Sequence, residues 1–196
     1  MELSATLIII ITTVITSIYF FQDERKLLQV TFSPYDVKQN NSWYRFLTHA
    51  LVHADYVHLF VNMYVLYSFG TFVEYFLAQK LFLILYIGGT IIAAMPSFLK
   101  HQNNPNYMSL GASGAVASVV FAAILIEPSQ NLFLMGILPI PAWIFGILYL
   151  VFEAYMDKKS NDNIAHDAHF YGAVWGIIFT GYLDFSLITS FFDKIF

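Results

Sequence analysis

There is no cysteine anywhere in the chain. That excludes disulfides, thiolate metal sites and a cysteine nucleophile. Charge is also scarce: Asp, Glu, Lys and Arg make up 11% of the 196 residues, where a soluble domain carries about a quarter. A net charge of −4 and the lack of any basic run argue against a nucleic-acid partner. The apolar start, residues 3–21, has no positive n-region and no small-residue cleavage site. It reads as a first membrane helix and not as a signal peptide. Neither His-Glu-x-x-His nor Gly-x-Gly-Asp occurs. The nearby carboxylates stand at no metal-ligand spacing, so no metal and no cofactor is expected, and an aspartyl intramembrane protease is not supported. There is no internal repeat and no low-complexity tract.

What is present is apolar. Hydrophobic residues make up 58% of the chain, with 20 Phe and 13 Tyr, and mean hydropathy is +0.64. These values predict an all-α, multi-pass integral membrane protein surrounded by lipid, with one domain over residues 1–196. Six apolar segments can be marked, at 3–21, 57–76, 80–99, 108–126, 142–155 and 164–183. The connection 22–56 is long and polar. It holds a Ser33-Pro34-Tyr35-Asp36 turn, an Asn40-Asn41-Ser42 breaker and an interface-lying Trp43-Tyr44-Arg45-Phe46-Leu47 stretch. Residues 132–139 are apolar but short, with prolines at 139 and 141, and read as an interfacial or re-entrant piece.

Three of these segments carry unusual polar groups. Leu110-Gly111-Ala112-Ser113-Gly114-Ala115 sets a serine between glycines near the start of the fourth. On that motif alone a helix-packing serine is the commoner explanation. His169 heads the sixth, with Gly172 and Gly176 below it at i+3 and i+7, and the second carries His58 and Asn62 at i and i+4. Helices two, four and six enter from the same side, so all three sets fall at one level. Ser113 and His169 each stand five residues into their segments, about 7 Å at the helical rise. A serine hydroxyl needs a base at neutral pH, and a neutral imidazole is the usual one. Small residues around Ser113 and under His169 permit the close helix approach that such a contact requires. His58, Asn62 and the Ser113 backbone N–H can serve as oxyanion donors, although His58 and Asn62 could equally form an interhelical polar clamp. His49 and His53, together with His58, His166 and His169, raise a metal reading that the missing carboxylate ligands weaken, and His101 and His166 receive no other role.

Together these residues resemble the rhomboid family of intramembrane serine proteases. Gly111-Ala112-Ser113-Gly114 is similar to the family's nucleophile motif. Ala168-His169 with Gly172 and Gly176 is similar to its histidine helix, and His53-x4-His58-x3-Asn62 to its second-helix pattern. Trp43-Tyr44-Arg45 and Gly70-x3-Glu74 resemble its first-loop and second-helix elements. The resemblance implies a six-transmembrane-helix bundle with a long first loop. It implies a Ser113–His169 dyad with no third acidic member, and oxyanion donors from His58, Asn62 and Ser113, with Gly111, Gly114, Gly172 and Gly176 as support. It also implies cleavage of membrane proteins that have a single transmembrane span. Ala117 stands where the family often has an aromatic residue over the histidine, so Tyr171 or Trp175 is expected to hold the imidazole instead.

The expected location is a bacterial plasma membrane. The resemblance places the amino terminus in the cytoplasm and opens the active site outward. The connections then hold two basic residues inside and seven outside, opposite to the positive-inside tendency. Two other functions fit parts of the pattern. One is a catalytically silent rhomboid-like protein that binds membrane clients. The other is a small transporter, for which Glu74 is the nearest candidate path residue.

Overall fold

The computed structural model describes residues 4–134, 137–159 and 164–195, and it is mainly helical. Helix α1 (Ala5–Phe20) starts at Ser4. Glu74 reaches its first turn and accepts hydrogen bonds from Ser4 Oγ, Ala5 N, Thr6 N and Thr6 Oγ1 at 2.6–2.9 Å. A carboxylate belongs there, where unpaired N–H groups and the helix dipole favour negative charge. Glu74 is therefore an interhelical clamp on the start of α1. Gly70 lies one turn away, and a Cβ on it would stand 2.9 Å from Thr6 Cγ2, so the glycine lets α1 close on its neighbour.

The long connection folds into three short helices, α2 (Glu24–Val30), α3 (Pro34–Asn40) and α4 (Arg45–Thr48), and a 3-10 turn (His49–Leu51). The expected turn and breaker are the two ends of α3. Ser33 caps its start, Pro34 opens it, and Asn41 ends it at φ 54. Arg45 is buried and binds the layer together. Its guanidinium donates to Leu28 O and Thr31 O at 2.8 and 2.5 Å and pairs with Asp36 at 3.3 Å.

Helix α5 (Tyr56–His101) is broken at Ala78, where φ is 62 and ψ is 156. Its halves, 56–77 and 79–101, correspond to the second and third expected segments. Among the described residues, α5 is the one helix that by itself is long and apolar enough to cross a membrane. Helices α8 and α9 pass only as a pair bent by 112°, and α1 and α6 are apolar but shorter.

Helix α6 (Ser113–Ile126) is buried at every position from Gly114 to Ile126, as expected of a helix apolar on all sides. It begins at Ser113 and not near residue 108. Ser109 pairs in both directions with Phe32 at 2.9 and 3.0 Å, and Gly111, at φ +116, is outside helical space. Within the stretch expected to be an interfacial or re-entrant piece, the described residues form two antiparallel strands, β1 (Asn131–Leu134) and β2 (Leu138–Pro141). Two strands give each proline an edge that needs no donor. Helix α7 (Ala142–Lys159) runs four residues past its expected end, α8 is His166–Leu183, and an unexpected α9 (Ser186–Ile195) follows. Lys194 of α9 donates to Ile126 O at 3.2 Å and pairs with Glu127 at 2.9 Å, closing the end of α6.

Candidate active site

Ser113 is the first residue of α6, and the segment before it is held by the long connection. Gly111 N donates to His49 O at 2.9 Å, and Ala112 N donates to His53 Nε2 at 3.4 Å. Because Nε2 accepts, His53 carries its proton on Nδ1, which faces Ser17 Oγ of α1 at 3.0 Å. The Ser17 hydroxyl passes the chain on to Leu51 O at 3.0 Å. His49 donates through Nδ1 to Arg45 O at 2.8 Å. Both rings are thus committed to the backbone, and among the described residues neither joins a cluster of possible metal ligands. Burial pushes His49 from its ordinary value of 6.5 down to about 4 and His53 down to about 3. Each is neutral when folded and charges on unfolding in acid. Their contribution to stability is complete above about pH 6.5 and is lost as the pH falls toward the folded values. Thermal melts between pH 7 and 4 should show this loss, with a shallower slope in His53→Gln.

Across the helix interface, His169 Nε2 lies 2.7 Å from Ser113 Oγ. Glycine makes that distance possible. A Cβ on Gly172 would fall on the carbonyl oxygen of Gly114, and one on Gly176 on that of Ser118. The backbones of α6 and α8 are in contact, as the small-residue spacing predicts. Gly114 meets Ala93 in the same way: a Cβ there would stand 2.6 Å from the alanine's own.

Residues on α5 complete the surroundings. His58 sits in the first turn, its N–H capped by Asp55 at 2.8 Å and its ring edge-on to His53 at 4.9 Å. The ring lies against Gly111, where a Cβ would stand 2.6 Å from His58 Cε1. Asn62 Nδ2 donates to His58 O at 3.0 Å, leaving a second amide hydrogen unspent. His58, Asn62, Ser113 and His169 line one cavity of about 670 Å³, together with Ala117 and Tyr149. The N-cap of α6, Ala112, offers no side-chain cap, so the first N–H groups of that helix stay available beside the hydroxyl.

The ring of His169 is held neither by Tyr171 nor by Trp175. Tyr171 is exposed, and Trp175 donates to Leu85 O at 3.0 Å while lying on Gly88. Its holder is Glu153 of α7, whose Oε1 is 3.1 Å from His169 Nδ1 and whose Oε2 is 2.6 Å from His166 Nδ1. An acidic group therefore does stand behind the histidine, contrary to the expected bare dyad. A carboxylate accepts, so Nδ1 of His169 bears the proton and Nε2 is free to accept from Ser113. One signal could have found Glu153. It is the only acid within the expected segment 142–155, and a charge in an apolar span marks function. Glu153, His166 and His169 also offer three ligand atoms within 4.8 Å of one another. A metal there would occupy the edge of His169 that now donates to Glu153.

Residues 40–185 match the family model described as the Rhomboid domain. The chain belongs to the rhomboid family. It is 28% identical over 142 residues to RHOMBOID-like protein 12, mitochondrial, of Arabidopsis thaliana, covering 65% of this chain and 42% of the relative. It is 30% identical over 137 residues to presenilin-associated rhomboid-like protein A, mitochondrial, of Danio rerio, covering 66% and 35%. To rhomboid protease GluP of Bacillus subtilis it is 33% identical over 89 residues, covering 45% and 17%. The chain thus spans less than half the length of each of these relatives. Rhomboid proteins are integral membrane proteins that act on membrane-protein substrates within the bilayer. Several relatives are mitochondrial, so the expected bacterial plasma membrane finds no support in them.

Proposed function

We propose that this rhomboid chain is a serine-type intramembrane endopeptidase, a single peptidase domain whose nucleophile is Ser113 and whose base is His169. The observation that carries this reading is the 2.7 Å contact from Ser113 Oγ to an imidazole nitrogen that accepts, at the wall of a cavity of about 670 Å³. The bundle is read with six spans: α1, the two halves of α5, α6, α7 and α8. The substrate is a membrane protein with a single transmembrane span, entering the cavity from lipid.

In the first half-reaction the Ser113 hydroxyl gives its proton to His169 Nε2 as Oγ attacks the scissile carbonyl. The resulting oxyanion is met by the Ser113 N–H, the His58 ring and the second Asn62 amide hydrogen. His169 then protonates the leaving amine. Water, deprotonated by the same nitrogen, releases the acyl group and restores the serine. A preorganised donor in a dry site is worth about a hundred- to a thousand-fold in rate. His58→Ala and Asn62→Ala should therefore each slow turnover by about ten- to a thousand-fold while acylation persists. Parallel loss of melting temperature and activity would instead make the pair a structural clamp.

The test is cleavage of single-span reporters co-reconstituted with the protein in liposomes. Fragments from the wild type and none from Ser113→Ala are expected. Capture of the reporters without cleavage would contradict the reading and favour a client-binding protein.

A further inference from the structure

We infer that Glu153 is a positioning residue for His169, and that His166 in turn holds Glu153, so that the serine and histidine work against a buried, ionised carboxylate. The inference deepens the peptidase reading above and rests on it for its kinetic consequences. Glu153 is 4% exposed and His166 4% exposed. Each carboxylate oxygen has its own imidazole, His169 Nδ1 at 3.1 Å and His166 Nδ1 at 2.6 Å. A buried carboxylate with two charge-assisted hydrogen bonds is fixed in direction. It dictates which nitrogen of His169 carries the proton. Unanchored, the ring could present N–H to Ser113 and be useless as a base.

The proton count follows from this arrangement. The Ser113 proton moves to His169 Nε2, the Nδ1 proton stays on the ring, and Glu153 stays ionised throughout. The carboxylate faces the imidazolium that forms and stabilises it where water is scarce. Among the described residues, the titratable groups around the pair are His58 of α5, Tyr149 of α7 and His166 of α8, with Ser113 opposite. Phe152 closes the far edge of His166 at a ring separation of 6.0 Å. Ala117 offers no aromatic ring to the imidazole from its own position on α6, and the carboxylate supplies orientation.

The test compares Glu153→Gln, Glu153→Asp and His166→Gln with the wild type. Reporter cleavage gives kcat and KM, and ¹⁵N-histidine spectra in detergent give the tautomer of His169. Glu153→Gln should lower kcat by about a hundred- to ten-thousand-fold with KM within about twofold of wild type. Its His169 spectrum should lose the pure Nδ1–H form. Glu153→Asp should recover part of kcat, and His166→Gln should lower kcat less than Glu153→Gln does. If Glu153→Gln does not fold, the other two variants still give the split between kcat and KM, and the wild-type spectrum still gives the tautomer. Wild-type kcat in Glu153→Gln, or a wild-type His169 protonated on Nε2, would overturn the proposal. So would activity that a chelator removes and zinc restores, since the cluster would then be a metal site. A wild type that neither cleaves nor labels at Ser113 refutes the peptidase reading, whereas an active wild type matched by Glu153→Gln refutes this inference alone.

Discussion

Alanine at Ser113 or at His169 will abolish proteolysis and leave a folded protein. The expected loss in kcat is on the order of a million-fold for either change. The Ser113 side chain makes no contact on which the fold depends, and when His169 is removed the Glu153 carboxylate keeps its hydrogen bond to His166. Ser113 occupies the first position of α6, where its side chain makes no cap, and His169 faces a cavity. The double variant should be no slower than either single one, because a nucleophile without its base and a base without its nucleophile fail at the same step. Circular dichroism and melting temperature check the fold, and reporter cleavage checks the rate. Independent, multiplicative losses would mean that the 2.7 Å contact is not one catalytic unit.

The second large effect is expected from a single methyl group. In Gly172→Ala the new Cβ falls on the carbonyl oxygen of Gly114, with backbone and not a flexible side chain in the way. Helices α6 and α8 must part to admit it. Overpacking of this kind costs about 1–3 kcal/mol. A misplacement of about 1 Å between reacting groups costs about a hundred-fold in rate. Gly172→Ala should therefore lose both stability and at least that much activity, and Gly176→Ala, against Ser118 O, should behave alike. Gly146 of α7 is the control. A Cβ there would stand 3.5 Å from Ile124 and Phe121, in ordinary contact, so Gly146→Ala should leave the melting temperature and rate close to wild type.

Much of the site was legible because its parts obey short-range rules. The i, i+3, i+7 spacing of His169, Gly172 and Gly176 marks one helix face, and Gly-x-Ser-Gly marks a backbone that must be approached closely. Both are properties of one segment. The break at Ala78 was legible for the same reason: the two expected apolar segments there are separated by Leu77, Ala78 and Gln79. What stayed hidden depends on distant partners. Met108 to Ala112 is apolar enough to continue a helix, but Phe32, His49 and His53 capture its backbone from the long connection. The polar stretch 22–56 reads as a loop because its helices are too short for periodicity to register. They form because Ser33, Pro34 and Asp23 cap them and Arg45 ties three backbone and side-chain acceptors together. Glu153 was passed over because its meaning lies sixteen residues away in His169, and His166 because it stands at the end of a loop.

If Ser113 is a nucleophile activated by His169, fluorophosphonate will label it. Labelling of the purified protein in detergent, read by intact mass and peptide mapping, should give one adduct per chain, located on Ser113, formed by the wild type and by neither Ser113→Ala nor His169→Ala. No adduct on the folded wild type, or an adduct that persists at the wild-type rate in His169→Ala, would show that Ser113 is not activated by His169.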